Sequence, residues 1–241
     1  GPRGGAAWTW DAARPQGVTG IHDVPPAFVA QQLETVLTDV GADAAKTGML
    51  SSPEIIASVA DTLLRFPLPL LVVDPVMVSK SGARLLREEG REAIIRRLLP
   101  LAHVVTPNIP EAEALAGIAI ESEQTLREAA ARIHEMLRAG RQRSCYVLMK
   151  GGHLEGPEAI DWLFDGQRWR AYSAPRLHTK NTHGTGCTYA AAIATSLAKG
   201  QPIEEAVHTA KTYLTGAIQQ SLSLGHGHGP LHHGWQQFPL V

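Results

Sequence analysis

The sequence predicts an α/β fold: a mainly parallel sheet with helices on both faces. Three observations predict it. Continuous apolar runs of strand length alternate with amphipathic helical stretches. Each run ends in polar residues, glycine or proline, as in Lys46-Thr47-Gly48, Asp74-Pro75, Thr106-Pro107-Asn108 and Lys150-Gly151-Gly152. Late in the chain, a glycine-rich loop over 180–188 feeds straight into a helix of small residues over 189–195. The 241 residues suit one large domain, and 44% hydrophobic content allows a sizeable core.

The elements follow in order. Residues 1–15 are rich in Gly, Ala, Arg and Trp, with no helical or strand period, and are read as an atypical segment to which no element is assigned. Pro25-Pro26 opens a helix to about Asp39, with Phe28, Leu33, Val36 and Leu37 on one face. A short strand over 42–47 leads to Met49 and Leu50. Ser52-Pro53 starts a second helix by the pattern of a capping residue followed by proline. The run 70–73 is strand-like and ends in Asp74-Pro75-Val76-Met77; a polar loop at 79–82 and a helix to about Leu99 come next. A strand over 102–105 precedes a short helix opened by Pro110 and carrying Glu111. An amphipathic helix covers about 123–139, and Tyr146 to Met149 form another buried strand. Asp165-Gly166 between two apolar segments signals a hairpin over 160–172. The last helix runs from Ile203 to about Leu222, before a Gly- and His-rich tail.

Composition excludes several classes. A formal charge of −1 provides no basic field for nucleic acid and no polybasic segment for a membrane surface. No apolar run approaches the roughly 18 residues of a membrane span. Two cysteines make no disulfide framework, which favours a reducing, cytoplasmic setting. Cys145 opens a strand and reads as core. The tail histidines, spread across Gly and Pro, read as a mobile C-terminus rather than a metal site, and the five tryptophans read as structural.

In parallel sheets, ligands bind outside the carboxyl ends of the strands. Two kinds of group converge there. Lys150, the Gly184-Thr185-Gly186 backbone and a helix dipole suit an anion. Asp74, Asn108 and Glu111 are hard oxygen donors suited to Mg²⁺ and its waters. A cation site beside an anion cradle is what phosphoryl transfer requires. Cys187, at the helix start, is placed to take a proton from an attacking hydroxyl. The loop is neither a Walker A loop nor a dinucleotide fingerprint, because it lacks both Gly-Lys-Ser/Thr and the third glycine.

Five ordered stretches, 46–50, 73–77, 106–112, 148–153 and 180–188, resemble the hydroxymethylpyrimidine/phosphomethylpyrimidine kinases of thiamine biosynthesis, in the ribokinase superfamily. The tail over 225–233 is similar as well, so the resemblance runs from about residue 16 to 241 and leaves 1–15 outside the family fold. It implies a ribokinase-like three-layer sandwich. It also implies a homodimeric enzyme that uses ATP and Mg²⁺ to phosphorylate 4-amino-5-hydroxymethyl-2-methylpyrimidine and then its monophosphate. In that family Gly184, Thr185 and Gly186 correspond to the anion hole, and Cys187 to the catalytic residue. Lys150, Asn108, Glu111 and Thr185 correspond to the ATP-binding positions, Asp74 and Glu111 to the Mg²⁺ site, and Met49 and Val76 to the pyrimidine pocket.

Family members open with a strand and a loop of the type Gly-x-Asp-x-Ser-Gly-Gly-Ala-Gly. No such unit stands before residue 16, so a truncated or mis-started sequence is expected. Ala13 occupies the place of a pyrimidine-reading Gln. Two alternatives stay open: a pyridoxal or pyridoxine kinase of the same superfamily, and a catalytically impaired nucleotide-binding fragment.

Overall fold

The computed structural model describes residues 9–14, 17–77, 86, 88–139, 144–151, 156–222, 224 and 227–238. Its elements are, in order, β1 (Thr9–Arg14), β2 (Gly17–Asp23), α1 (Pro26–Asp39), β3 (Ala45–Thr47), α2 (Pro53–Arg65), β4 (Leu71–Val73), α3 (Glu88–Ala93), β5 (Val104–Val105), α4 (Ile109–Ala116), α5 (Glu123–Arg138), β6 (Tyr146–Lys150), β7 (Glu158–Phe164), β8 (Trp169–Pro175), α6 (Thr185–Ala198) and α7 (Ile203–Gln219). Strands β3 to β8 form one six-stranded sheet in sequential order. The pairs β3–β4, β4–β5 and β5–β6 are parallel; β6–β7 and β7–β8 are antiparallel. The mainly parallel, two-faced sheet is therefore as expected.

The pleat divides the strands between two cores. Leu71, Val73, Val105, Val147 and Met149 pack with α1, α2, α4 and α5, while Val72, Val104 and Leu148 pack with α6 and α7. Burial on both faces explains why these strands read as unbroken apolar runs. The helix starts also follow local chemistry. Ser52 Oγ accepts from the Ile55 N–H, with Pro53 in the first turn of α2. Asn108 and Glu111 form a reciprocal capping box on α4, and Ser122 and Thr125 do the same on α5. At the β7–β8 turn, Asp165 Oδ1 accepts from the N–H groups of Gln167 and Arg168, and Gly166 has φ of 98°.

The structure departs from the sequence reading in three places. Residues 9–14 do form a strand, paired antiparallel with β2 in a separate two-stranded ribbon. Backbone pairing suffices for such a ribbon, so no one-sided apolar pattern announces it. The helix expected to reach Leu99 is α-helical only to Ala93. It continues as a π turn over Ile94–Leu98 and a 3₁₀ turn over Leu99–Leu101, where Pro100 has no N–H to extend the ladder.

The described part of the tail is anchored rather than loose. The His183 N–H donates to Gly229 O, Tyr213 Oη donates to His233 O, and Trp235 Nε1 donates to Tyr213 O. Trp235 lies so close over Gly216 of α7 that a methyl group there would come within 2.3 Å of its ring. The polar loop at 79–82, together with Gly152, His153 and His226, lies outside the described residues.

Candidate active site

Strand register assembles the site. Lys46 pairs with Val72, and Val72, Val104 and Leu148 all face α6. Side chains alternate along a strand, so Asp74, Thr106 and Lys150, each two residues beyond one of those positions, fall on the same face at the carboxyl ends of β4, β5 and β6. The N-terminus of α6 is brought to that face.

Lys150 Nζ donates to Asp74 Oδ1 at 2.7 Å and lies 3.8 Å from Glu111 Oε2. Thr106 Oγ1 donates to the same Asp74 oxygen at 3.1 Å. Asp74 is 1% exposed and Glu111 4%. Glu111 Oε2 also accepts from the Asn108 N–H at 2.8 Å, while Asn108 Oδ1 accepts from the Glu111 N–H at 2.9 Å. The capping box thus sets the carboxylate beside Lys150, because the Lys150 N–H donates to Pro107 O and locks β6 to the start of α4.

Charge balance perturbs both partners. Burial pushes the Glu111 carboxyl up to about 7; Lys150 opposes that rise and Asp74 adds to it. Burial by itself would lower the Lys150 pKa, but the Asp74 carboxylate and then Glu111 outweigh it, so the ammonium is held above its ordinary value. Once Glu111 is ionised, one lysine between two buried carboxylates leaves an excess of negative charge that a divalent cation would neutralise. Asp74 directs Oδ1 to Lys150 and Thr106, leaving Oδ2 toward Gly186. An oxygen donor set of this kind, opening toward the loop, fits a hydrated Mg²⁺ held by few protein ligands.

Above this cluster sits the glycine loop. Gly184 caps α6 in the left-handed region, with φ of 82°, and supplies no side chain to the first-turn amides. A methyl group at Gly186 would lie 3.4 Å from both Asp74 Oδ2 and Lys150 Nζ. The helix start thus lies directly against both charged groups. Thr185 and Gly186 are half-buried, and Cys187 is exposed with a free thiol. Met49 and Val76, the expected pocket residues, are half-buried just past β3 and β4. All the site positions read from the sequence thus lie at this one end of the sheet.

One residue beside them has no assigned role in the sequence reading. Lys46 Nζ and Cys187 Sγ border the same gap: a methyl group at Gly48 would lie 2.6 Å from the first and 4.0 Å from the second. The Lys-Thr-Gly triplet at a strand end was the available signal. Two concavities, of about 600 and 500 Å³, lie elsewhere, between β8 and α7, and contain none of the strand-end residues.

Comparison with known proteins identifies the family. The family model described as phosphomethylpyrimidine kinase matches residues 7–232. The chain is 50% identical over 222 residues to the thiamine biosynthesis bifunctional protein ThiED of Geobacter sulfurreducens, covering 92% of this chain and 44% of that protein. It thus spans less than half the length of that relative. It is 45% identical to the hydroxymethylpyrimidine/phosphomethylpyrimidine kinase of Haemophilus influenzae, covering 90% of this chain and 80% of that one.

Among solved structures, the phosphomethylpyrimidine kinase of Clostridium difficile 630 superposes with a TM-score of 0.75 at 39% identity, over 88% of this chain and 84% of that one. The Staphylococcus aureus pyridoxal kinase in complex with AMP-PCP and pyridoxal gives 0.78 at 35% identity, over 89% and 76%. By the family model, the identity to these kinases and the shared fold, the chain belongs to the phosphomethylpyrimidine kinase family and has the ribokinase-like fold.

Proposed function

We propose that this chain transfers the γ-phosphoryl group of ATP to 4-amino-5-hydroxymethyl-2-methylpyrimidine, and then a second one to the resulting monophosphate. The observation that carries the reading is the Lys150–Asp74–Glu111 cluster directly under the Gly184–Cys187 loop. Lys150 and the first-turn amides of α6 bind the ATP phosphates and hold the charge that develops on the transferred group. Asp74 and Glu111 would hold Mg²⁺, with Asn108 fixing Glu111 through the capping box. When bound, the metal supplies positive charge to the phosphate oxygens. Cys187 takes the proton of the attacking hydroxyl, and Met49 and Val76 line the face on which the pyrimidine rests. A homodimer is part of this reading, and light scattering of the purified chain tests it.

The test is ADP release with three acceptors: the pyrimidine alcohol, its monophosphate and pyridoxal. The first two are expected to be used well and pyridoxal poorly. A clear preference for pyridoxal would favour the second reading, which the likeness to the Staphylococcus pyridoxal kinase supports. Within the first reading, Cys187→Ala lowers turnover by about 10²–10⁴-fold, the range for a lost general base, while ATP binding by calorimetry stays nearly intact. Unchanged turnover would remove Cys187 from the chemistry.

A further inference from the structure

We propose that Lys46 is the acceptor-side cation of the site, the group that holds the phosphate of a phosphorylated acceptor while Lys150 holds the donor phosphates; this rests on the kinase reading above. The register puts Lys46 on the α6 face of β3 and Lys150 on the same face of β6, with Asp74 and Thr106 on the strands between them. The two ammonium groups therefore approach the α6 N-terminus from different strands, β3 and β6. Lys150 reaches the Gly186 side of the loop, and Lys46 reaches the gap between Gly48 and Cys187.

Their surroundings differ. Lys150 is paired with Asp74 and lies beside Glu111. Among the described residues no ion pair includes Lys46, which is half-buried. A partly desolvated ammonium without a carboxylate partner favours an incoming anion. Gly48 lies directly against Nζ, and a side chain there would have to displace the ammonium.

The two proposed transfers need different things on this side. With the alcohol, the attacking oxygen loses a proton and is neutral beforehand. With the monophosphate, the attacking oxygen belongs to an anion that must approach the negatively charged γ-phosphate. A bond forms from that acceptor oxygen to the γ-phosphorus. The bond from phosphorus to the β–γ bridging oxygen breaks, and ADP leaves with the electron pair. The anionic acceptor needs no proton removed, but it needs its repulsion offset. Lys46 is placed to do that beside Cys187, so it distinguishes the second acceptor from the first.

The experiment compares the full chain with Lys46→Met, which keeps length and loses charge, and with Lys46→Arg, which keeps charge. ADP release and calorimetric binding are measured with the alcohol and with the monophosphate. Lys46→Met is expected to lower kcat/KM and affinity for the monophosphate about tenfold more than for the alcohol, as for loss of one charge-assisted hydrogen bond, and Lys46→Arg to restore most of that difference. Equal losses on both acceptors would overturn the proposal and leave the kinase reading standing. A selective loss of monophosphate binding in a chain that transfers nothing would uphold Lys46 and overturn the kinase reading. Failure of the full chain to bind the monophosphate would overturn both.

Discussion

Two buried lysine–carboxylate groups flank the end of β6, and they serve different ends. Lys150 contacts Asp74 and approaches Glu111; Lys211 of α7 contacts Asp161 of β7 at 2.6 Å. Lys150 and Asp161 are even register partners across the β6–β7 pair. The second group is closed: Asp161 Oδ2 takes Lys211, its Oδ1 accepts from the Gly151 N–H at 3.0 Å, and one positive charge meets one negative. The first is open, with two carboxylates to one lysine and a glycine loop above it. A balanced buried pair fixes a backbone position. An unbalanced one must hold a proton, as Glu111 does up to about 7, or take a partner that brings charge, and this makes it a candidate binding site.

That contrast predicts which variants lose activity and which lose stability. The largest effect is expected from Lys150→Met. It removes the donor-side cation and should lower kcat/KM for ATP by about 10²–10³-fold, the range for losing one preorganised electrostatic donor. Lys211→Met should instead cost roughly 3–5 kcal/mol of stability, because it strands a buried carboxylate, while the KM for ATP changes little; urea melts and steady-state kinetics separate the two. If both variants lost activity equally at equal stability, the distinction between the groups would fail.

A smaller effect concerns pH. The folded chain holds the Glu111 proton up to about 7, against an ordinary value of 4.5. Between those two values the folded state binds more protons than the unfolded one, so stability falls as pH rises from about 4.5 to 7, by up to roughly 3 kcal/mol. Glu111→Gln should flatten that fall in melts recorded without Mg²⁺ and weaken the Mg²⁺ dependence of turnover. An unaltered Mg²⁺ titration would take Glu111 out of the metal site.

Much of the site was legible from residue types, because its parts are short and local. Proline and glycine after an apolar run mark a strand end, and Ser52-Pro53 and Pro110 mark helix starts. Lys46 went without a role because a lysine at a strand end looks the same whether it meets a carboxylate, water or a thiol. The ribbon of β1 and β2 escaped notice because its pairing leaves no periodic pattern in the sequence. The Asp161–Lys211 pair joins residues 50 positions apart, which no local pattern connects.

From residues alone came the fold class, the Ser52 helix cap, the hairpin turn and the list of groups able to handle phosphate, since each depends on side-chain period or on chemistry within a few positions. Only the folded chain decided how those groups meet. Strand register put Lys46, Asp74, Thr106 and Lys150 on one face, and burial turned Glu111 into a carboxyl that keeps its proton to about 7. The physical reason is that pairing and desolvation are long-range: they depend on what the rest of the chain places nearby.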